Sequence, residues 1–114
     1  SGLIGAVHGV EHALLAVAPM IAVCDRRDLG SAWFSVDPAD FEPSVYVFDA
    51  VPGGIGLCES LFARSGEWIQ SAISLLEGCK CEDGCPLCLY SAQCESMNEN
   101  LDKRGALRLL SSLL

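Results

Sequence analysis

Cys79-Lys80-Cys81-Glu82-Asp83-Gly84-Cys85-Pro86-Leu87-Cys88, followed shortly by Cys94, is the stretch on which the reading of this chain turns. Five cysteines fall within sixteen residues. Thiolates so close in sequence can converge on one metal ion with little loop to order, and zinc takes four such ligands in a tetrahedral shell. Gly84-Cys85-Pro86-Leu87-Cys88 is a Cys-x-x-Cys turn, the usual half-site, and Cys79 and Cys81 lie just upstream to complete it. Five candidates for four positions leave one spare, and Cys94 is the most distant. The spacing therefore predicts one Zn²⁺ held by Cys79, Cys81, Cys85 and Cys88. A full thiolate shell leaves no open position for water or substrate, so the expected role is structural.

The competing readings of the cluster are a disulfide pair, reduced core cysteines or a redox site. The chain has seven cysteines, an odd count, and shows no secretory signal, which favours a reducing cytoplasm over a secreted disulfide framework. In thioredoxin-like proteins Cys-x-x-Cys opens a helix after a strand. Here it follows a helical pattern and has three further cysteines around it. Cys24 and Cys58 stand apart and read as buried, inert thiols.

Outward from the cluster, 114 residues make one domain with a core of its own. Net charge is −8, and four thiolates around one Zn²⁺ would add about −2. The bases (Arg26, Arg27, Arg64, Lys80, Lys103, Arg104 and Arg108) are scattered and form no stripe. Independent binding to a phosphate backbone is therefore not expected. Ala13–Val23, the most apolar stretch, is broken by Pro19 and reads as too short to cross a bilayer. With 51% apolar and only 19% charged residues the chain is greasy for a small free domain, and it opens at Ser1-Gly2 straight into a helical pattern. Both features suit a piece whose apolar faces meet a larger body.

Apolar residues at positions 3, 7, 10, 14 and 17, with 4, 15 and 18 beside them, predict a helix from Leu3 to about Ala18, ended or kinked by Pro19. Ser31–Val36 reads as a short strand and Ser44–Asp49 as the clearest one, the two forming a hairpin. After the turn at Val51–Gly56 comes a helical region from Leu57 to Glu77, broken near Ser65-Gly66. Its residues Leu57, Leu61 and Trp68 are candidates for the face that contacts a larger body. A last helix, capped by Asn100 or Asp102, ends near Leu113. The fold class is α+β: a hairpin packed by about four helices, with a Cys₄ zinc loop near the C-terminal end.

Two motifs compete with this reading. His8-Gly9-Val10-Glu11-His12 matches H-x-x-E-H, the inverted zinc-peptidase signature, with both histidines on one helix face. That chemistry needs a third ligand, for which Glu77 is the only carboxylate at a plausible remove, and a cleft that 114 residues hardly supply. A polar helix patch, its His and Glu hydrogen-bonded to neighbours, is the simpler account. Pro52-Gly53-Gly54-Ile55-Gly56 links a strand to a helix, but it lacks the Lys-Ser/Thr of a P-loop and the full dinucleotide spacing. It reads as a sharp turn, with Asp49 as a turn former.

Taken in order, His8-Gly-Val-Glu-His12-Ala-Leu-Leu15, Cys24-Asp25 with Asp28-Leu-Gly30, Val47-Phe-Asp49 leading to Pro52-Gly-Gly-Ile-Gly-Leu57, the run Cys79–Cys88 and Asn100-Leu-Asp-Lys103 resemble the MrfA-type zinc-binding domain. The likeness spans about Val7 to Leu110. That family sits at the C-terminal end of superfamily 2 DEAD/DEAH-box DNA helicases, among them RecQ-like repair helicases. It also occurs in a helicase-associated subunit of a bacterial anti-phage system. The resemblance implies an accessory domain, residues 1–114, cut from the C-terminal region of a larger helicase and not an enzyme alone. It carries the metal ligands onto Cys79, Cys81, Cys85 and Cys88. The implied partners are the parent's motor domains, with DNA reached only through the parent and no membrane. The runner-up is a free-standing partner-binding subunit of a helicase-containing or defence complex.

Overall fold

A computed structural model of the chain describes residues 2–22, 28–34, 36–39, 41–50, 56–79 and 101–113. Helix α1 (Gly2–Ile21) runs through the middle of the fold, with Val7, Ala13, Val17 and Ala18 all at 2% exposure or less. A helix that is apolar nearly all round belongs inside a protein. Of the two outcomes the sequence allows at Pro19, an end or a kink, the end does not occur: α1 runs on to Ile21. Proline withholds one N–H from the Leu15 carbonyl, yet the Ala22 N–H still bonds the Ala18 oxygen at 3.0 Å. Two side chains from elsewhere serve carbonyls in this half of the helix. The indole Nε1 of Trp68 donates to the Leu14 oxygen at 2.8 Å, and the Arg64 guanidinium donates to the Ile21 oxygen. The segment Ile4–Ile21 is thus long and apolar enough to span a bilayer, contrary to the sequence expectation, but 78% of it is buried within the protein. Its apolarity is accounted for by the core.

Strands β1 (Leu29–Phe34) and β2 (Ser44–Asp49) pair antiparallel, Leu29 opposite Asp49 and Phe34 opposite Ser44. β1 begins two residues earlier than the sequence suggests because Gly30 belongs to it. Gly30 lies opposite Phe48, and a Cβ there would meet the Phe48 ring at 2.2 Å, so the ring as placed lies over the glycine. The connector is tied by Asp37, which is 3% exposed and accepts from the Tyr46 hydroxyl and from the Ala39 N–H at 2.8 Å. The Tyr46 bond first, then the Ala39 bond, hold its carboxyl below the ordinary 3.8 despite the opposing effect of burial. A lowered carboxylate pKa stabilises the fold above the unfolded value and stops doing so as pH falls through the folded one. We expect acid unfolding of Tyr46→Phe to begin at higher pH than that of the parent, followed by circular dichroism. Coincident acid transitions would show that the bond adds nothing.

Helices α2 (Leu57–Ala63) and α3 (Ser65–Gly78) are separated at Arg64, whose backbone leaves helical geometry (φ −113°, ψ 34°), one residue before the expected break. Helix α4 (Lys103–Ser112) is capped by Asp102, whose Oδ1 accepts from the Gly105 N–H at 3.0 Å. α4 lies against α1 at a close crossing: a Cβ on Gly9 would stand 2.9 Å from the Ala106 Cβ and 3.3 Å from the Asp102 oxygen. Leu61, Leu76 and Leu110 are fully enclosed in one core that also takes Trp68, Ile73 and, from the hairpin, Leu29 and Val47. The α+β class, a hairpin with four helices, is as expected. The assignment of Leu61 and Trp68 to an outer contact face is not: their exposures are 0% and 3%, because Leu61 of α2 and Trp68 of α3 both enter this core. The Leu57 side chain lies outside the described residues.

Candidate metal centre

Of the four expected ligands, Cys79 is described. α3 ends at Gly78, and Cys79 follows in extended geometry (φ −93°, ψ 133°), half-buried and packed against the core. Its carbonyl accepts a 2.7 Å hydrogen bond from Nζ of Lys103, the first residue of α4 and only 4% exposed. Cys81, Cys85 and Cys88, and the excluded Cys94, lie outside the described residues. The end of one core helix and the start of another therefore meet at the first residue of the cysteine run. Sequence reasoning counted Lys103 among scattered bases. Its position directly after a capping aspartate, at the far end of the cysteine loop, was the available signal.

His8, Glu11 and His12 form a second cluster, with one ligand-type atom from each lying within 4.8 Å of the others. Nε2 of His8 and of His12 stand 3.9 Å and 4.0 Å from Glu11 Oε1. The His8 ring stacks on Trp33 at 4.7 Å and meets His12 edge-on at 4.6 Å. These residues are 1%, 8% and 3% exposed, so the patch is interior and not on the surface. Among the described residues no buried side-chain nitrogen or oxygen lacks a hydrogen-bond partner. A satisfied polar network inside the core is what these observations describe. The peptidase alternative fails here, because a scissile peptide has no way to reach a triad enclosed on every side.

Asp49 does more than form a turn. Its Oδ1 accepts from the Cys58 N–H at 3.1 Å and its Oδ2 from the Gly56 N–H at 3.3 Å, fastening the start of α2 to the end of β2. Cys58 is half-buried, where full burial was expected, and its thiol donates to the Val47 oxygen at 3.3 Å. Burial first, then the neighbouring Asp49, push that thiol up to about 11. A neutral thiol is a poor nucleophile, so iodoacetamide at pH 8 should label Cys58 far more slowly than an unfolded control, read by peptide mass spectrometry. Labelling at the control rate would contradict the inert reading. Cys24 and residues 51–55 lie outside the described residues.

An apolar groove of about 300 Å³ opens between α1, β2, α2, α3 and α4, lined by Val10, Leu14, Val45, Phe62 and Leu113 among others. Phe62 and Leu113 are 55% and 60% exposed at its edge.

A cysteine at the junction of two core helices, histidines enclosed among the described residues and a net charge of −8 describe a small domain with one candidate metal ligand held against its core. The chain belongs to the MrfA Zn-binding domain family, whose sequence profile matches residues 10–89. An uncharacterised protein of Methanocaldococcus jannaschii is 33% identical over 111 residues, covering 95% of this chain and 99% of that one. The ATP-dependent helicase YprA of Bacillus subtilis is 33% identical over 81 residues, 71% of this chain but 11% of the helicase. The crystal structure of the DUF1998 helicase MrfA bound to DNA superposes with a TM-score of 0.82 at 28% identity, over 99% of this chain and 15% of that one. The chain thus equals the archaeal relative in span and matches only a small part of the helicases.

Proposed function

We propose that this chain is a structural zinc-binding accessory domain from the C-terminal region of an ATP-dependent DEAD/DEAH-box DNA helicase, working in cytoplasmic DNA repair. The observation that carries this reading is the likeness to the MrfA helicase, in which the matching fold is 15% of a much longer chain. One Zn²⁺ would be held by Cys79, Cys81, Cys85 and Cys88. The donor chemistry fits zinc, and Cys79 is fixed at the junction of α3 and α4. Zinc there would lock the cysteine run to the core. The partners would be the parent's motor domains, docked on the exposed groove edge at Phe62 and Leu113. With net charge −8, DNA would be engaged only through the parent.

Two measurements test this. Elemental analysis of metal-replete protein should give one zinc per chain, and none would remove the zinc assignment. Fluorescence anisotropy against single- and double-stranded DNA at physiological salt should show no tight binding, and ATP should not be hydrolysed. Sub-micromolar affinity would make the chain a nucleic-acid module in its own right. The Methanocaldococcus relative, matched over 99% of its length, favours a second reading in which the domain is a free-standing subunit that binds a helicase in trans. Co-purification of the chain with a separately expressed motor would support that reading.

A further inference from the structure

We propose that the outer face of α4, formed by Arg104, Arg108 and Ser111, holds the phosphodiester backbone of the DNA strand on which the parent helicase works; this rests on the accessory-domain reading above. The three residues stand at i, i+4 and i+7, one face of the helix, and all are exposed. Ala106 and Leu110, on the other side, are 0% exposed, so α4 turns its apolar residues inward and its arginines out. The helix itself carries no acidic residue. Of the other described cations, Arg64 is paired with Glu67 and Lys103 is bonded to the Cys79 carbonyl. Arg104 and Arg108 form neither an ion pair nor a hydrogen bond within the chain. Arg104 also lies in the first turn, at the positive end of the helix dipole, where a cation is disfavoured. The adjacent Asp102 turns Oδ1 to the Gly105 N–H as the helix cap and does not pair with it. An anion lying along this face offsets both the two guanidinium charges and the dipole.

The donor types select phosphate. A guanidinium offers paired N–H donors to phosphate oxygens, and a serine hydroxyl is a further common donor to them. Four residues of helix advance about 6 Å, so the two arginines can each take one of two neighbouring phosphates on a strand. The face has no aromatic ring on which bases could stack, which leaves the backbone as what it can hold. The platform is firm: the Asp102 N–H donates to the Gly5 oxygen at 3.0 Å, and α4 crosses α1 closely at Gly9. Two phosphate contacts are too few to bring a chain of net charge −8 onto DNA alone. Inside a helicase the motor already holds the strand, and the tethered face then acts at high effective concentration.

The test titrates the whole chain with single-stranded oligothymidylate at low salt and follows backbone amide shifts by NMR. Shifts should concentrate on α4 around Arg104, Arg108 and Ser111, vanish in the double variant Arg104→Gln/Arg108→Gln and largely persist in Arg104→Lys/Arg108→Lys. No shifts on α4, or shifts that survive the glutamine pair, overturn the proposal. Poly-glutamate is the second probe: a response on α4 as large as that to the oligonucleotide would assign the face to an acidic protein and overturn the phosphate assignment. In the helicase that carries the domain, the glutamine pair should make the slope of log affinity for single-stranded DNA against log salt shallower by about 1.4. An unchanged slope likewise overturns the proposal and leaves the accessory-domain reading intact. A chain neither joined to a helicase motor nor able to bind one overturns that reading instead, and the amide map on α4 still decides whether the face holds phosphate.

Discussion

Cys88→Ser, or chelation of the metal, is expected to loosen the C-terminal third from Gly78 onward while the hairpin around Val47 stays comparatively protected. Structural zinc contributes about 10–16 kcal/mol of apparent binding free energy in small zinc modules. A whole domain has a net stability of only about 5–15 kcal/mol, so loss of the metal is among the largest single perturbations available. Its effect should nonetheless be graded. Val47, Leu61, Trp68 and Leu76 belong to the core that α1 and its neighbours form among the described residues. α4 depends on both sides: Lys103 is bonded to Cys79, whereas Ala106 and Leu110 are held by the core at 0% exposure. Hydrogen exchange should therefore rise most at the first turn of α4 and least in β2. A rise of equal size along the entire chain would mean that metal and core form one cooperative unit, and the local picture would be wrong.

What the sequence made legible was local. Ser44–Asp49 alternates β-branched and aromatic residues and forms a strand with those bounds, and Asp102 caps α4 as its side chain suggests. The errors arose where a distant residue decides the outcome. α1 continues past Pro19 beside bonds from Trp68 and Arg64, 54 and 43 positions from their acceptors in sequence. β1 starts at Leu29, and Gly30 within it pairs with Phe48, a pairing that neither residue shows alone. The helical period placed His8 and His12 on one face but could not tell that Trp33 stacks on His8 there. For the candidate site, cysteine spacing located Cys79 at the end of α3, while the buried Lys103 against it was invisible to any reading that counts charges along the chain.

Trp68→Ala is expected to cost about 3–5 kcal/mol, the range for losing a large aromatic from a core. Trp68 is 3% exposed, its indole donates to the Leu14 oxygen at 2.8 Å, and its ring meets Phe62 edge-on at 5.6 Å. Truncation removes the apolar body that joins α3 to α1, opens a cavity and takes away the donor at Leu14. Trp68→Phe separates these effects: it keeps most of the apolar body and loses the hydrogen bond, worth about 0.5–1.5 kcal/mol net. Its larger share of the loss should therefore come from the unfilled volume of the missing ring. Urea unfolding of the two variants measures both, and the order Ala far below Phe, Phe modestly below the parent, is the expected result. Had α3 presented Trp68 to a partner, Trp68→Ala would leave the isolated chain as stable as the parent. Such a result would return α3 to the outside of the fold and contradict the packing described here.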